Sequence, residues 1–507
     1  MRLKELLKGI TVRRSFNFSN AEVAGLAYDS RKVRPGYLFV AISGTKQDGH
    51  AYIQDALLRG AEVVVVEKKD IVFPNKVVGL LVDNSREALA VLSTNFFREP
   101  SRRLKVIGIT GTKGKTTTAY LVHNLHQTAG EKCGLIGTIA YQIGERQIAS
   151  YNTTPESLDL QEMMSETEKA GCQTVVMEVS SHGSDQGRVA GIHFDSGLLT
   201  NVSSHEHLDY HGSFAKYLEA KIKFFKEYLA TSAKEEKLAL INLDDPSASH
   251  FLRSLKEKNV RVVTWGKNKK ADVILLSYFL GESATVLDVS LQGKKERFSS
   301  PLKGLGNVFN LVLLVAYGWA RHFPLELIHK SLVHSPTIPG RFEMIDEGQP
   351  FSVVVDYAHT ADSLRSLLVS VRAMKPRRVI LVFGCGGDRD RSKRPLMGKV
   401  AARLADLVII TSDNPRSEDP FRIIQDIRKG IPFFQRRRTV VIMDRRKAIQ
   451  DALELAQKGD FVVIAGKGHE TYQIFRETVV PFDDRIEARK VLERLLSRDE
   501  IKSGESL

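Results

Sequence analysis

The stretch KVIGITGTKGKTTTAYLVHNLHQTAG, residues 105–130, joins an apolar run, a glycine-containing loop and a helix-like segment. Residues 105–110 are rich in β-branched side chains, as in a buried strand. The residues after Lys115 have the apolar spacing of an amphipathic helix, and Gly130 is a typical helix stop. A strand, a glycine loop and a helix in this order predict an α/β domain with a phosphate-binding loop.

The glycine loop has the residue types that hold a nucleoside triphosphate. Glycine at 111 and 114 lets backbone N–H groups turn toward an anion, Lys115 can reach the phosphates, and Thr116 can ligate magnesium. The strict eight-residue pattern would need glycine where Ile109 stands, so the match is to the shorter form G-x-x-G-K-T-T. We therefore predict an ATP site with these loop residues: Gly111, Thr112, Lys113, Gly114, Lys115, Thr116 and Thr117.

Five further apolar runs end in polar clusters. They are TVVMEVSSHG (174–183), FSVVVDYAHT (351–360), RVILVFGCGGDRDR (378–391), LVIITSDNPR (407–416) and FVVIAGKGHE (461–470). Such runs are typical of strands buried on both faces of a parallel sheet, where ligands bind beyond the carboxyl ends of the strands. Plain solvated turns would explain any one cluster, but glycine with ionisable groups recurs in all of them. We predict an α/β fold with mostly parallel sheets and ligand sites at these strand ends.

Length and local composition indicate several domains. A chain of 507 residues exceeds what one hydrophobic core usually supports. Two segments each precede a new strand. One is NFFREPSRRLK (95–105), with a proline and clustered charges, and the other is HSPTIPGRFEMIDEGQP (334–350), with prolines and glycines. Boundaries are expected near residues 100 and 336.

Charge and hydropathy narrow the function classes. The formal charge of +14 could indicate a polyanionic partner, but the basic residues are scattered, with short clusters only at 435–439 and 443–447. We expect phosphate-rich small substrates and no nucleic acid. No apolar run is long enough to span a bilayer, and three scattered cysteines do not suit a disulfide framework. A cytoplasmic protein is the simplest expectation.

A metal site is predicted near the glycine loop. Glu178 ends a strand and could bind the magnesium held by Thr116. Residues 205–211 add His205, Glu206, His207, Asp209 and His211, a density that favours metal or phosphate chemistry. Their spacing does not fit the H-E-x-x-H zinc pattern. Lys221, taken alone, would be an exposed helical lysine.

The motifs GTKGKTT, EVSSHG, HLDYHG, DYAHT, GCGGDRDRSKRP, DNPR and GKGHE, in this order, resemble the Mur ligase family. The resemblance runs from about residue 28 to about residue 490. It implies an N-terminal UDP-substrate-binding domain (1–100), a central ATP-binding domain (101–336) and a C-terminal Rossmann-like domain (337–507) that binds the incoming amino acid.

The implied activity is an ADP-forming amide ligase of peptidoglycan precursor synthesis that uses ATP and Mg²⁺. It would add meso-2,6-diaminopimelate to UDP-N-acetylmuramoyl-L-alanyl-D-glutamate through an acyl phosphate. The expected partners are these small molecules, and a monomer is expected. Other interpretations stay open: a folylpolyglutamate-synthetase-like ligase, or a P-loop kinase, transport ATPase or nucleic-acid ATPase.

The resemblance also implies roles for individual residues. Further ATP contacts would be Asn310, Arg341 and Asp356. The UDP-linked substrate would be bound by Tyr28, Ser30, Thr45, Lys46, Gln47, Asn152, Thr153, Thr154, Ser180, Gln186 and Arg188. Lys221 would be carbamylated to N6-carboxylysine and ligate a second magnesium with Glu178 and His207, so Lys115, Lys221, Glu178 and His207 form the implied catalytic set.

Diaminopimelate would be bound by Arg389, Asp413, Asn414, Pro415, Arg416, Gly466 and Glu470. This substrate differs from lysine by a carboxylate at its far end. Because a guanidinium can bind a carboxylate with two charge-assisted hydrogen bonds, Arg416 is the predicted selector for that group.

Overall fold

The computed structural model describes residues 1–44, 47–203, 206, 208–281 and 283–504. The chain forms two compact units. One comprises Met1–Ile274 with Leu313–Ile328, and the other comprises Leu275–Val312 with His329–Leu507. No helix in the described part of the chain is long and apolar enough to cross a membrane.

The first unit begins with a five-stranded sheet. Its strands are β1 Val12–Phe16, β2 Gly25–Ala27, β3 Tyr37–Val40, β4 Ala61–Val66 and β5 Val78–Val82, and its helices are α1 Leu3–Leu6, α2 Ile53–Leu58 and α3 Ser85–Phe96. The strand order is β1-β5-β4-β3-β2, with β1 antiparallel to β5 and the other pairs parallel. The four consecutive valines of β4 point alternately to the two faces of the sheet. Val63 and Val65 pack in one hydrophobic cluster and Val64 and Val66 in another, so the strand is buried on both faces.

The larger sheet of the first unit carries the glycine loop. Its strands are β6 Lys105–Thr110, β7 Cys133–Ile136, β8 Ala140–Ile143, β9 Arg146–Ala149, β10 Thr174–Glu178, β11 Ser196–Leu199, β12 Leu238–Asn242, β13 Arg261–Gly266 and the start of β14 Val273–Leu280. Strand β6 lies between β10 and β11 and is parallel to both. The helices are α4 Lys115–Thr128, α5 Ser157–Lys169, α6 Ser181–Asp185, α7 Leu208–His211, α8 Phe214–Lys223 and α9 Ala248–Leu255.

The second unit contains a Rossmann-like sheet of six strands in the order β17-β18-β22-β19-β20-β21. The strands are β17 Glu343–Ile345, β18 Ser352–Asp356, β19 Arg378–Phe383, β20 Leu407–Ile410, β21 Thr439–Val441 and β22 Asp460–Ala465. Only β17 is antiparallel to its neighbour. The connecting helices are α12 Ala361–Ala373, α13 Lys393–Leu404, α14 Pro420–Lys429, α15 Arg445–Glu454 and α16 Asp484–Gly504.

The remaining elements are the hairpin β15 Thr285–Leu291 and β16 Lys294–Ser300, the hairpin β23 Tyr472–Phe475 and β24 Thr478–Pro481, and helices α10 Leu305–Ala320 and α11 Leu325–Val333. The α/β class with mostly parallel sheets is confirmed. All six apolar runs form parallel strands, β6, β10, β18, β19, β20 and β22, so their polar clusters lie at carboxyl ends as predicted. The limits 1–100, 101–336 and 337–507 stay a prediction.

Candidate active site

The glycine loop between β6 and α4 has the backbone of a phosphate-binding loop. Gly111 has φ +146° and Gly114, the N-cap of α4, has φ +85°, both in the region that favours glycine. A Cβ at Gly111 would lie 1.9 Å from Thr200 Oγ1, so no larger residue fits there. The Lys115 ammonium folds back over the loop and donates to the carbonyls of Gly111 and Thr112 at 2.9 and 3.1 Å. Helix α4 therefore begins at Lys115 with its N-terminus toward the loop.

Residues outside the loop hold its shape. Asn201 accepts from the Thr112 N–H through its carbonyl and from the Lys113 N–H through its side chain, at 2.7 and 3.1 Å. The Tyr217 hydroxyl, fully buried on α8, lies 2.7 Å from Thr112 Oγ1. Neither Asn201 nor Tyr217 was predicted, because each lies far from the loop in sequence and outside its pattern.

Glu178, at the end of β10, lies beside the first turn of α4. Thr116 Oγ1 donates to Glu178 Oε2 at 3.0 Å, and Glu178 is 1% exposed. Thr138 adds a side-chain donor at 3.0 Å and its backbone N–H at 2.8 Å. A hydroxyl and a carboxylate oxygen brought together in this way are the hard oxygen ligands that suit Mg²⁺, so the residues present fit the predicted metal. The interaction of Thr138 with Glu178 was not predicted from the sequence.

Lys221 is buried, so its default interpretation as an exposed helical lysine is wrong. It lies on α8, is 1% exposed, and donates from Nζ to the Gly111 carbonyl at 2.9 Å. Its Nζ also lies 4.6 Å from the centre of the Tyr217 ring. Burial, with a smaller contribution from the nearby Lys115 charge, lowers the pKa of Lys221 well below its usual value. A lower pKa raises the fraction of the neutral amine, which is the form that reacts with carbon dioxide.

The other predicted metal ligand, His207, lies outside the described residues, as does His205. Among the residues that the structure describes, no group of three or more His, Cys, Asp or Glu side chains has the arrangement of a metal site. The described part of the predicted magnesium site is therefore Thr116, Glu178 and Lys221.

The residues assigned to the muramoyl dipeptide form one hydrogen-bonded cluster at the end of β10. Thr154 Oγ1 donates to the Glu178 carbonyl and accepts from the Ser180 N–H, both at 2.9 Å. Arg188 donates to the Thr154 carbonyl at 2.9 Å and to Gln186 Oε1 at 2.6 and 2.9 Å. Thr153 Oγ1 lies 3.0 Å from Thr138 Oγ1.

The same cluster extends to its neighbours. The Asn152 carbonyl accepts from the Tyr141 hydroxyl at 2.6 Å. Glu156, which sequence reasoning missed, lies 3.2 Å from Arg188 and also forms an ion pair with Arg86. This arrangement fixes the Arg188 guanidinium, a group suited to binding a substrate carboxylate.

The structure describes only some of the residues that are predicted to bind the uridine end of the substrate. The Tyr28 hydroxyl donates to Asp159 Oδ2 at 2.5 Å, and burial, then the Asp159 charge, raises the pKa of Tyr28. Ser30 is buried and Gln47 is exposed. Thr45 and Lys46 lie outside the described residues.

Three residues that are predicted to contact ATP, Asp356, Arg341 and Asn310, lie in the second unit. Asp356 ends β18 and accepts backbone N–H groups from Phe342 at 2.7 Å and Ala358 at 2.9 Å. The Arg341 guanidinium lies 4.5 Å from the centre of the Tyr357 ring, and its buried Nε has no hydrogen-bond partner among the described residues. Asn310 is buried on α10 and donates to Asn307 at 3.1 Å.

The predicted diaminopimelate residues lie together at the carboxyl ends of β19, β20 and β22. Asn414 Nδ2 donates to Glu470 Oε2 at 2.8 Å. Gly466 has φ +118°, and a Cβ there would lie 2.7 Å from Asp413 Oδ2. A Cβ at Gly386 would meet Arg416 Nη1 at 2.9 Å and Arg389 Cγ at 3.9 Å, so both arginines approach the same glycine. Pro415 carries the turn between Asn414 and Arg416 and is buried.

Arg416 has a strained backbone and a largely unused side chain. Its φ of +52° is rare for a residue other than glycine, and such conformations concentrate at functional sites. Nη1 donates to the Gly387 carbonyl at 2.8 Å. The same Nη1 also lies 3.5 Å from the Asn414 carbonyl. The remaining N–H groups of the guanidinium can therefore bind an acidic ligand.

Three family models match the chain: the Mur ligase family catalytic domain at residues 22–97, the Mur ligase middle domain at 109–318, and the Mur ligase glutamate ligase domain at 340–468. The three matches follow one another along the chain without overlap.

Two curated relatives are similar over nearly their whole length. One, from Solibacter usitatus, is 44% identical over 97% of this chain and 98% of its own, and another, from Caldanaerobacter subterraneus, is 42% identical over 97% and 99%. Both are named UDP-N-acetylmuramoyl-L-alanyl-D-glutamate–2,6-diaminopimelate ligase.

Solved structures show the same architecture. A structure with that same name matches with a TM-score of 0.69 and 32% identity, covering 98% of this chain and 99% of its own. A MurF ligase from Thermotoga maritima in complex with ADP shares the fold, with a TM-score of 0.64 at 19% identity over 95% and 100% of the two chains. From its three matched domains and its full-length relatives, we conclude that this chain belongs to the Mur ligase family.

Proposed function

We propose that this protein is the ATP-dependent ligase that adds meso-2,6-diaminopimelate to UDP-N-acetylmuramoyl-L-alanyl-D-glutamate, a step of peptidoglycan precursor synthesis. The observation that carries the proposal is the cluster of Lys115, Thr116, Glu178 and buried Lys221 around one phosphate loop. The names of the full-length relatives support the substrates.

The first step activates a carboxylate. A free carboxylate is a poor acylating agent, so the D-glutamyl carboxylate attacks the γ-phosphate of ATP and gives an acyl phosphate and ADP. Two anions must meet, and the Lys115 ammonium and the loop N–H groups offset their repulsion. Bound magnesium, held by Thr116 and Glu178, would supply further charge neutralisation between the phosphates. Arg188 orients the attacking carboxylate, because its guanidinium is fixed by Gln186 and Thr154.

The second step forms the amide. The amine of diaminopimelate attacks the acyl phosphate, the tetrahedral intermediate expels phosphate, and the amine loses its proton. Catalysis here is mainly positioning, which the turn Asp413–Arg416 and Glu470 supply for the incoming amino acid. We further propose that Asn310, Arg341 and Asp356 contact ATP, and that Tyr28, Ser30, Thr45, Lys46 and Gln47 contact the UDP end.

Lys221 carries a proposed modification. Its neutral amine adds to carbon dioxide, forming an N–C bond and releasing one proton, and the product is a carboxylate. This carboxylate would be a further magnesium ligand together with His207. The low polarity that depresses the pKa of the amine supports this reaction.

Product analysis tests the proposed function. Incubation with ATP, Mg²⁺ and the UDP-linked dipeptide should give ADP, phosphate and one new amide per ATP only when diaminopimelate is present. A kinase would leave the phosphate on its acceptor, and a folylpolyglutamate-synthetase-like ligase would use a folate and ignore the UDP-linked substrate. ATP hydrolysis that depends on DNA or RNA would contradict the proposal.

The need for ATP and a UDP-linked substrate supports action in the cytoplasm, and a monomer remains the expected form.

A further inference from the structure

Lys467 is a buried cation inside the proposed amino-acid site. It follows Gly466 after β22 and is fully buried. Its Nζ donates to Glu470 Oε2 at 2.9 Å and to Asn414 Oδ1 at 3.3 Å, and it lies 5.5 Å from the centre of the Tyr472 ring. Because a buried ammonium is costly without partners, these contacts define where Glu470 and Asn414 must lie.

The orientation of the Asn414 amide is fixed from both ends. Its Oδ1 accepts from Lys467 and from the Ile474 N–H, the latter at 3.0 Å, and its Nδ2 donates to Glu470. Two donors at the oxygen and one acceptor at the nitrogen exclude the flipped amide. Two donors therefore bind the Glu470 oxygen Oε2, and neither of them uses Oε1.

Gln473 holds the backbone of the same turn. It lies on β23, is 6% exposed, and donates from Nε2 to the Asp413 carbonyl at 2.9 Å. The next residues of the hairpin β23–β24 pair with the turn as a strand would. Arg416 N–H donates to the Ile474 carbonyl at 3.0 Å, and the Arg476 N–H donates to the Arg416 carbonyl at 2.7 Å.

These bonds explain how Arg416 keeps a left-handed backbone. A residue with a Cβ holds φ near +52° only where its surroundings impose it. The hairpin supplies two backbone bonds to Arg416 itself, Gln473 supplies one to Asp413, and Lys467 connects Asn414 to Glu470. The turn therefore depends on side chains that the substrate need not touch.

We propose that Lys467 and Gln473 are positioning residues that hold the turn Asp413–Arg416 and Glu470 in the conformation that binds the incoming amino acid. The inference rests on the proposed function, because it assigns these residues to the recognition of diaminopimelate. Lys467 acts through Glu470 and Asn414, and Gln473 acts through the turn backbone.

Steady-state kinetics on the full-length protein test this inference. Lys467→Met removes the ammonium with little change in volume, and Gln473→Leu removes one donor. Each variant should raise the KM for diaminopimelate by about tenfold or more, the effect of losing a hydrogen bond to a charged or buried polar group. The KM values for ATP and the UDP-linked dipeptide should stay unchanged, and discrimination against L-lysine should fall. The control Lys458→Met alters an exposed lysine of the same domain and should change none of these values.

A double-mutant cycle separates positioning from general stability. If Lys467 acts through Glu470, then Lys467→Met should cost much less in a Glu470→Gln background than in the unmodified protein. Additive effects, equal increases in all three KM values, or an unchanged KM for diaminopimelate in both variants would overturn the inference. If Lys467→Met fails to fold, the milder Gln473→Leu variant decides the outcome. Failure of the unmodified protein to ligate diaminopimelate would overturn the proposed function itself, and with it this inference.

Discussion

Lys221 Nζ donates a 2.9 Å hydrogen bond to the carbonyl of Gly111, and this places a fully buried lysine against the first residue of the phosphate loop. An ammonium at this depth would be desolvated and would face the Lys115 charge. The proposed carbamylation would remove the repulsion from Lys115, because it would convert the cation into an anion beside a cationic group. The geometry thus gives a physical reason for the modification.

The first prediction concerns the carbamate. Lys221→Ala should lower the rate of ligation by about 100-fold or more, the usual cost of losing one group that neutralises charge in the transition state. Formate or acetate should restore part of the rate, because a small carboxylate can enter the vacated space. Lys216→Ala, at an exposed position of the same helix, is the matched control and should show neither loss nor rescue. Full activity of Lys221→Ala without added acid would refute the role.

Magnesium dependence tests the pair of Thr116 and Glu178. Glu178→Gln removes the negative charge, and Thr138→Val removes a donor that orients this carboxylate. The Mg²⁺ concentration for half-maximal rate should rise in both, by about 10- to 100-fold for the orienting residue. An Mg²⁺ titration of initial rates measures the effect, with Glu166→Gln at a surface ion pair as control. Identical titration curves for all variants would show that the pair does not hold the metal.

Tyr217 should contribute to ATP binding although it lies 105 residues from its loop partner. Tyr217→Phe keeps the ring against Lys221 but removes the hydroxyl from Thr112. We expect the KM for ATP to rise about fivefold, equivalent to about 1 kcal/mol for one hydrogen bond. Tyr228→Phe also removes one hydroxyl hydrogen bond, to the Ser184 carbonyl, and should leave the KM for ATP unchanged. Equal behaviour of the two variants would count against Tyr217.

Acid stability should depend on His469. Burial, followed by the charges of Arg341, Arg485 and Lys467, lowers the pKa of His469 to about 3. The unfolded chain protonates histidine near pH 6.5, so between these values the unfolded state binds more protons and stability falls as the pH falls. From pH 6.5 to pH 5 this group should remove about 1.6 kcal/mol.

The measurement is the free energy of unfolding by denaturant at the two pH values. His469→Gln should show a smaller decrease than the unmodified protein, and His250→Gln, at an exposed position, should show the same decrease. A decrease of equal size in His469→Gln would mean that this histidine is not held neutral by the fold.

Local sequence patterns predicted the features that are encoded within one strand and the turn after it. The glycine loop, the six parallel strands and the turn at Asp413–Arg416 belong to this class, because apolar runs and glycine positions report them directly. The side chains that support those turns were not predicted. Thr138 contacts Glu178 across 40 residues, and Gln473 contacts Asp413 across 60.

Lys221 shows why burial is harder to predict than secondary structure. Its helix was evident, but the sequence does not state which helix face packs on the loop. The chain continues after α8 in a π-helical turn, Phe224–Leu229, which changes the direction of the following side chains and has no sequence signal of its own. Contacts between distant segments, rather than local propensity, determine this part of the site.

We propose that Arg416 selects diaminopimelate by its far carboxylate. The most direct test is the ratio of kcat/KM for meso-diaminopimelate to kcat/KM for L-lysine, measured for the unmodified protein and for Arg416→Ala. We predict a ratio of about 10⁴ or more for the unmodified protein, because lysine would leave the guanidinium without its acidic partner. The ratio should fall close to one in Arg416→Ala, with the KM for ATP unchanged. A ratio near one in the unmodified protein, or a high ratio that survives the substitution, would show that Arg416 does not select this carboxylate.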